Sequence, residues 1–228
     1  MNYYLGLDIG SSSIKAAFVE IDSGKSVGVV QEPKEEMSMF AQKNGWAEQK
    51  PNDWWLHICK AITKLKKQHN ISRTQIKGIG ISYQMHGLVL VDKKGNPLRK
   101  SIIWCDSRAV EIGNKAFQEI GEEKCAAHLL NSPANFTASK LKWVKENEPE
   151  IYSQVYKFML PGDFIAYKFS NKINTTISGL SEGIFWDFKK NTVADFLLEY
   201  YGVDKNLVPD IVDTFGLQSV VDKKGELE

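Results

Sequence analysis

Little in this sequence points towards a nucleic acid, a membrane or an oxidising compartment. Cysteine is scarce: Cys59, Cys105 and Cys125 are odd in number and lack metal-ligand spacing, which excludes a complete disulfide framework and fits free thiols in a reducing cytoplasm. Charge of one sign is not in excess. Lys and Arg number 29 against 28 Asp and Glu, a net charge of +1, so the balance recommends neither nucleic acid nor an anionic membrane as partner. The Lys64-Leu65-Lys66-Lys67 cluster reads as the solvated end of a helix. No apolar run approaches the ~20 residues of a membrane span, and Met1-Asn2 leads into a strand without the basic and apolar regions of a secretion signal. A cytoplasmic location is therefore expected. Internal repeats, low-complexity segments and the GxGxxG dinucleotide fingerprint are all lacking, the last counting against a Rossmann reading. What is present is an ordinary globular composition, 228 residues at 43% hydrophobic and 25% charged, enough for one large domain or two small ones.

The chain opens on a short apolar run, a Gly/Ser turn at residues 10–13 and a returning run, and residues 26–32 read as a third strand, so a β-meander is expected. Residues 35–49 read as a structured loop. Pro51-Asn52-Asp53 opens a helix with Asn52 or Asp53 as cap, and Trp54, Trp55, Ile58, Ala61, Ile62 and Leu65 recur at helical spacing on its buried face. Residues 76–83 are expected as a strand buried in a sheet, 87–91 and 102–104 as further strands, and 109–130 and 137–147 as helical. A strand at 155–160, a break at Pro161-Gly162-Asp163 and a helix at 164–169 follow. Residues 175–182 read as a polar loop, 195–201 as a last helix, and an irregular tail begins at Leu207. This order predicts an α/β fold with a mixed sheet covered by helices on both faces.

Three strand ends carry polar clusters, and ligand groups in α/β sheets gather beyond strand ends. The first is Asp8-Ile9-Gly10-Ser11-Ser12-Ser13. One carboxylate, several backbone N–H groups and small side chains at a tight turn suit Mg²⁺ near Asp8 and nucleotide phosphates against the turn, although an ordinary Gly/Ser hairpin carries the same signature. The second is Gln84-Met85-His86-Gly87, and the third Trp104-Cys105-Asp106-Ser107-Arg108. Met85 and His86 offer an apolar contact and a switchable donor or acceptor, and Asp106 can accept hydroxyl hydrogen bonds, which suits a small polyol or sugar. Each has a plainer reading: a satisfied strand-end histidine, a helix cap at Asp106, core for Trp104, and a surface connection for residues 179–183.

Together these motifs resemble the N-terminal domain of the FGGY carbohydrate kinases, and within that family its xylulokinase branch. The resemblance rests on residues 6–15, Trp46-Ala47-Glu48-Gln49, Trp54-Trp55, residues 79–87, residues 104–108, Phe136-Thr137-Ala138-Ser139-Lys140-Leu141-Lys142-Trp143, and Met159-Leu160-Pro161-Gly162-Asp163. It implies a two-domain actin-like ATPase (ribonuclease H-like) fold, with residues 1–228 as the sugar-binding domain and the C-terminal nucleotide-binding domain absent from this chain. The implied activity is ATP-dependent phosphorylation of D-xylulose to D-xylulose 5-phosphate. By the same resemblance Asp8 lies near Mg²⁺ and the transferred phosphoryl group, while Gly10, Ser11, Ser12 and Ser13 line the phosphate side. Met85, His86, Trp104 and Asp106 would contact the sugar, with Asn135 a looser addition.

The family's general base, an aspartate in a Gly-Asp-Asn-like segment, is expected beyond Glu228, so this stretch alone is expected to bind poorly and catalyse little or nothing. Leu227-Glu228 reads as a cloning junction. A kinase for another ketose or polyol, and a non-catalytic sugar-binding or sensory module, stay open, as does a homodimer.

Overall fold

The computed structural model describes residues 1–223, and the Leu227-Glu228 pair lies outside them. Its first half runs β1 (Tyr3–Ile9), β2 (Ile14–Glu20), β3 (Ser26–Glu32), β4 (Glu48–Gln49), α1 (Pro51–His69), β5 (Ile76–Tyr83), β6 (Val89–Val91) and β7 (Ser101–Ile102). Helices α2 (Val110–Ile120), α3 (Glu122–Leu129), α4 (Thr137–Asn147) and α5 (Pro149–Tyr152) follow. Then come β8 (Lys157–Met159), α6 (Pro161–Ser170), β9 (Asn174–Thr176), α7 (Ile177–Glu182), β10 (Trp186–Asp187), β11 (Thr192–Val193), α8 (Asp195–Tyr201) and β12 (Asp210–Val212).

Alternating burial organises the first layer. Tyr3, Leu5, Leu7 and Ile9 of β1 and Ile14, Ala16 and Phe18 of β2 are buried while the residues between them are not, the period of two that one covered sheet face demands. The expected meander forms, and β5 joins β1 in parallel, giving the order β3-β2-β1-β5. The parallel register sets Asp8 opposite Ser82 and Ile9 opposite Tyr83. Both strands therefore deliver their following turns, residues 10–13 and 84–87, to the same end of the sheet.

Helix α1 packs its Trp54, Ile58, Ala61, Ile62 and Leu65 face onto this sheet, joined by Phe164 and Ile165 of α6. The opposite face, carrying Tyr4, Gly6, Asp8, Lys15, Val29 and Gly80, is open among the described residues, so the helix layer expected on that side is not among them. Strand β5 is accordingly half-buried rather than buried, because it forms an edge with one uncovered face.

A second apolar cluster lies among α2, α3, α4, α7, α8 and β10. Residues 88–91 feed both clusters by strand alternation: Val89 and Val91 face the first, Leu88 and Leu90 the second.

Local differences from the sequence expectations have local causes. Helix α1 is capped by neither Asn52 nor Asp53, because Pro51 takes the first helical position after Lys50, where its fixed φ and missing N–H cost nothing. The same preference makes Pro161-Gly162-Asp163 the first turn of α6, with the Asp163 carboxylate accepting the Leu160 N–H at 3.1 Å. Gly121 at φ 101° splits the 109–130 helix in two. The 175–182 loop is instead β9 and α7, the latter capped by the Thr176 hydroxyl accepting the Gly179 N–H at 3.1 Å, and the tail pairs β12 with β9.

Candidate active site

The hairpin turn is tied to the other two clusters by a relay of amide side chains. Gln84 extends the β1–β5 ladder by donating its N–H to the Ile9 carbonyl at 2.8 Å. Its side chain donates to Gln49 Oε1 at 3.2 Å, which also accepts the Trp54 indole N–H at 3.1 Å. Gln49 in turn donates to the Ser11 carbonyl at 2.6 Å. Gln49 reaches this point because β4 pairs with β7, which leads straight into the third cluster. From that cluster Trp104 donates its indole N–H to the Ser11 hydroxyl at 3.2 Å. Gln84, through Gln49, and Trp104 are thus both tied to Ser11.

Asp8 projects towards the open sheet face, where a concavity of about 530 Å³ is lined by Asp8, Lys15, Ser82, Gly6, Gly80 and Val29 among others. Met85, His86 and Trp104 do not line it. Asp8 is half exposed and meets Lys15 Nζ at 3.2 Å. Gly10 closes the turn by donating its N–H to the Ser13 carbonyl at 3.1 Å, while the Ser12 carbonyl accepts from Met37 at 2.8 Å. Among the described residues no three His, Cys, Asp or Glu side chains are grouped to hold a metal. One half-exposed carboxylate beside hydroxyls still fits a magnesium ion whose other ligands are phosphate oxygens and water, its usual mode with nucleotides.

Of the residues expected to contact a sugar, Met85 is 53% and Trp104 47% exposed, so Trp104 is a surface residue rather than part of the core. Asn135 approaches it with a 3.4 Å contact from Nδ2 to the Trp104 carbonyl, and its own Oδ1 is buried without a hydrogen-bond partner. His86 takes the left-handed backbone conformation, φ 57°, which is uncommon for non-glycine residues. Gly87 follows because the first residue of α6 sits against it: an added Cβ would lie 2.5 Å from Pro161 Cγ.

Asp106 departs from the expected sugar contact. It is fully buried, and its carboxylate accepts from Ala47 N–H at 2.5 Å, from Arg108 N–H at 2.9 Å and from the Arg108 guanidinium at 2.7 to 3.0 Å. Nor does it cap α2, which begins after Ala109. Arg108 also meets Glu48 at 2.8 Å and stacks 3.7 Å from the Trp46 ring centroid, and Glu48 binds Arg99, which reaches Glu148 at 2.9 Å. Asp106 is saturated by this network and turned away from solvent.

Sequence reasoning singled out neither Lys140 nor Glu182 as a site residue. Lys140 is wholly buried and donates from Nζ to the carbonyls of His86, at 2.8 Å, and Ile103, at 3.0 Å. Burial draws its pKa down to about 8, against the pull of Asp106 and Glu182. Glu182, from the stretch expected to be a surface connection, accepts the His86 N–H and lies 2.8 Å from His86 Nδ1. Lys140 stands inside the quoted 136–143 motif, which offered a signal; Glu182 had none.

Comparison with known proteins places the chain. Residues 3–223 match the model of the FGGY family of carbohydrate kinases, N-terminal domain. A xylulose kinase of Bacillus subtilis is 30% identical over 238 residues, covering 100% of this chain and 46% of its own length. The crystal structure of a xyloylose kinase from Brucella ovis superposes with a TM-score of 0.89 at 28% identity, over 98% of this chain and 45% of that one. A gluconate kinase from Lactobacillus acidophilus shares the fold, with a TM-score of 0.87 at 23% identity over 98% and 44% of the two chains. The chain belongs to the FGGY family of carbohydrate kinases, has that family's actin-like α/β fold, and spans about half the length of the curated relatives it matches.

Proposed function

We propose that this FGGY-family chain is the sugar-binding half of a two-domain kinase that transfers the γ-phosphoryl group of ATP to D-xylulose, giving D-xylulose 5-phosphate and ADP. The observation that carries this reading is the bond from Trp104 to Ser11, which sets an exposed aromatic wall against the turn following Asp8. A sugar resting on Trp104 and Met85 then has its hydroxyl close to the phosphate-side turn, and phosphoryl transfer depends chiefly on such positioning and on charge stabilisation.

Asp8 would hold Mg²⁺ together with phosphate oxygens, the ion supplying charge neutralisation during transfer. Ser11, Ser12, Ser13 and the Gly10 turn would orient the phosphates. In this reading the general base lies beyond Glu228 and the adenosine pocket belongs to the other domain. Xylulose is favoured among sugars by the Gln84-Met85-His86-Gly87 segment and by the xylulose kinases among the relatives. The similar fold of the gluconate kinase shows why the fold alone does not choose a substrate.

Phosphorylation of D-xylulose by the full-length protein, compared with ribulose, fuculose, gluconate and glycerol, tests both levels. Preference for D-xylulose is expected. Strong preference for another sugar overturns the substrate and leaves the kinase; no transfer to any of them favours a binding or sensory module.

A further inference from the structure

His86 is held at both of its main-chain polar groups by charged side chains from distant elements. Its N–H donates to Glu182 at the end of α7, and its carbonyl accepts from Lys140 of α4 at 2.8 Å. The Lys140 ammonium also binds the carbonyl of Ile103, the residue before Trp104, so one cation ties together the two loops that carry the sugar-side residues. The ring is constrained as well. Its Nδ1 lies 2.8 Å from the Glu182 carboxylate, off the line of an aligned hydrogen bond, and it meets the Phe136 ring in a T-shaped contact, 4.3 Å between centroids and 68° between planes.

This is a costly way to join loops. A buried cation loses its hydration and recovers it only through well-placed acceptors and countercharges, and an apolar residue of similar volume often stabilises a fold as well or better. The left-handed backbone of His86 adds strain that persists only where surroundings impose it. A cost concentrated on one residue beside an exposed aromatic wall points to recognition rather than to stability.

We propose that Lys140 and Glu182 are positioning residues for sugar recognition that act through His86, locking its backbone from both sides so that the imidazole meets the sugar in one orientation. The inference rests on the sugar-kinase reading above.

The test is steady-state kinetics of the full-length protein with D-xylulose varied, for Glu182→Leu, Glu182→Gln and Lys140→Met, alongside amide hydrogen exchange of the same full-length proteins. Loss of a charged acceptor at His86 is expected to raise KM for the sugar about tenfold in Glu182→Leu while kcat changes less than about threefold. Glu182→Gln, which keeps an acceptor oxygen, is expected to restore KM to within about threefold of wild type. Lys140→Met should raise KM in the same way, and His86 N–H protection should fall in Glu182→Leu and return in Glu182→Gln. Unchanged KM and unchanged exchange in Glu182→Leu, in an enzyme that phosphorylates the sugar, overturns the proposal. If Lys140→Met does not fold, the two Glu182 variants decide. A wild-type protein inactive on every sugar overturns the underlying reading instead, while the exchange measurement still reports whether the lock exists.

Discussion

Asp8 and Asp106 were expected to serve the same site, and the fold treats them in opposite ways. Asp8 stands at the end of β1 on the open sheet face, half exposed, with an equally exposed lysine as partner. Asp106 has no exposure, and backbone and guanidinium donors crowd its carboxylate. An exposed pair such as Asp8–Lys15 gives little stability, since water and salt screen it. Such a carboxylate remains free to change partners, which is what a metal-binding or phosphate-side residue requires. A buried, saturated carboxylate has no remaining acceptor to offer a ligand, and removing it leaves a buried guanidinium with Glu48 as its remaining countercharge. Aspartates of similar promise in a motif thus divide into one suited to chemistry and one that holds the Arg108–Glu48–Arg99 network together.

The comparison breaks most visibly in stability. Asp106→Ala is expected to cost about 3–5 kcal/mol in urea denaturation because Arg108 loses its closest countercharge while staying buried; a loss below about 1 kcal/mol would mean that the network is not structural. A third aspartate, Asp163 at the start of α6, is expected to respond to pH. Burial raises the Asp163 carboxyl to about 7, so the folded chain keeps a proton that the unfolded chain releases near pH 4. Stability from this group is therefore full below about pH 4 and falls as pH rises to about 7, by at most about 4 kcal/mol over that window. The difference between wild type and Asp163→Asn in thermal unfolding should follow that slope, and a flat difference would place the carboxyl at an ordinary pKa. The smallest stability effect is expected at Asp8→Asn, within about 0.5 kcal/mol of wild type. In the full-length protein the same change should nevertheless lower kcat by about 100-fold or more, through lost metal and phosphoryl positioning. A well-folded Asp8→Asn enzyme with normal kcat would remove Asp8 from the phosphate side.

The share of this organisation legible in the sequence differs between elements for physical reasons. The meander, α1, β5, α4 and α8 were readable because each carries its own period of apolar residues or its own punctuation, properties that neighbours in sequence supply. The first turn of α6, the caps and α7 were misread because proline at a helix start and Ser/Thr/Gly runs look the same in a loop. Asp106 was misjudged for a different reason. A carboxylate followed two residues later by arginine reads as exposed and available until Trp46, Trp143 and Glu48 are brought around that arginine.

By itself the sequence determined the strands and helices with a strong local period, the three polar strand ends, and the family pattern that links them, because all of these are written in residues close together along the chain. Only the tertiary structure decided which polar groups meet. The parallel register of β1 with β5 brings the turn after Asp8 beside residues 84–87, the β4–β7 pairing brings Gln49 and Trp104 to Ser11, and the packing of α4 and α7 delivers Lys140 and Glu182 to His86. Those partners lie 38 to 96 residues apart. Their meeting depends on strand register and on burial rather than on any local propensity.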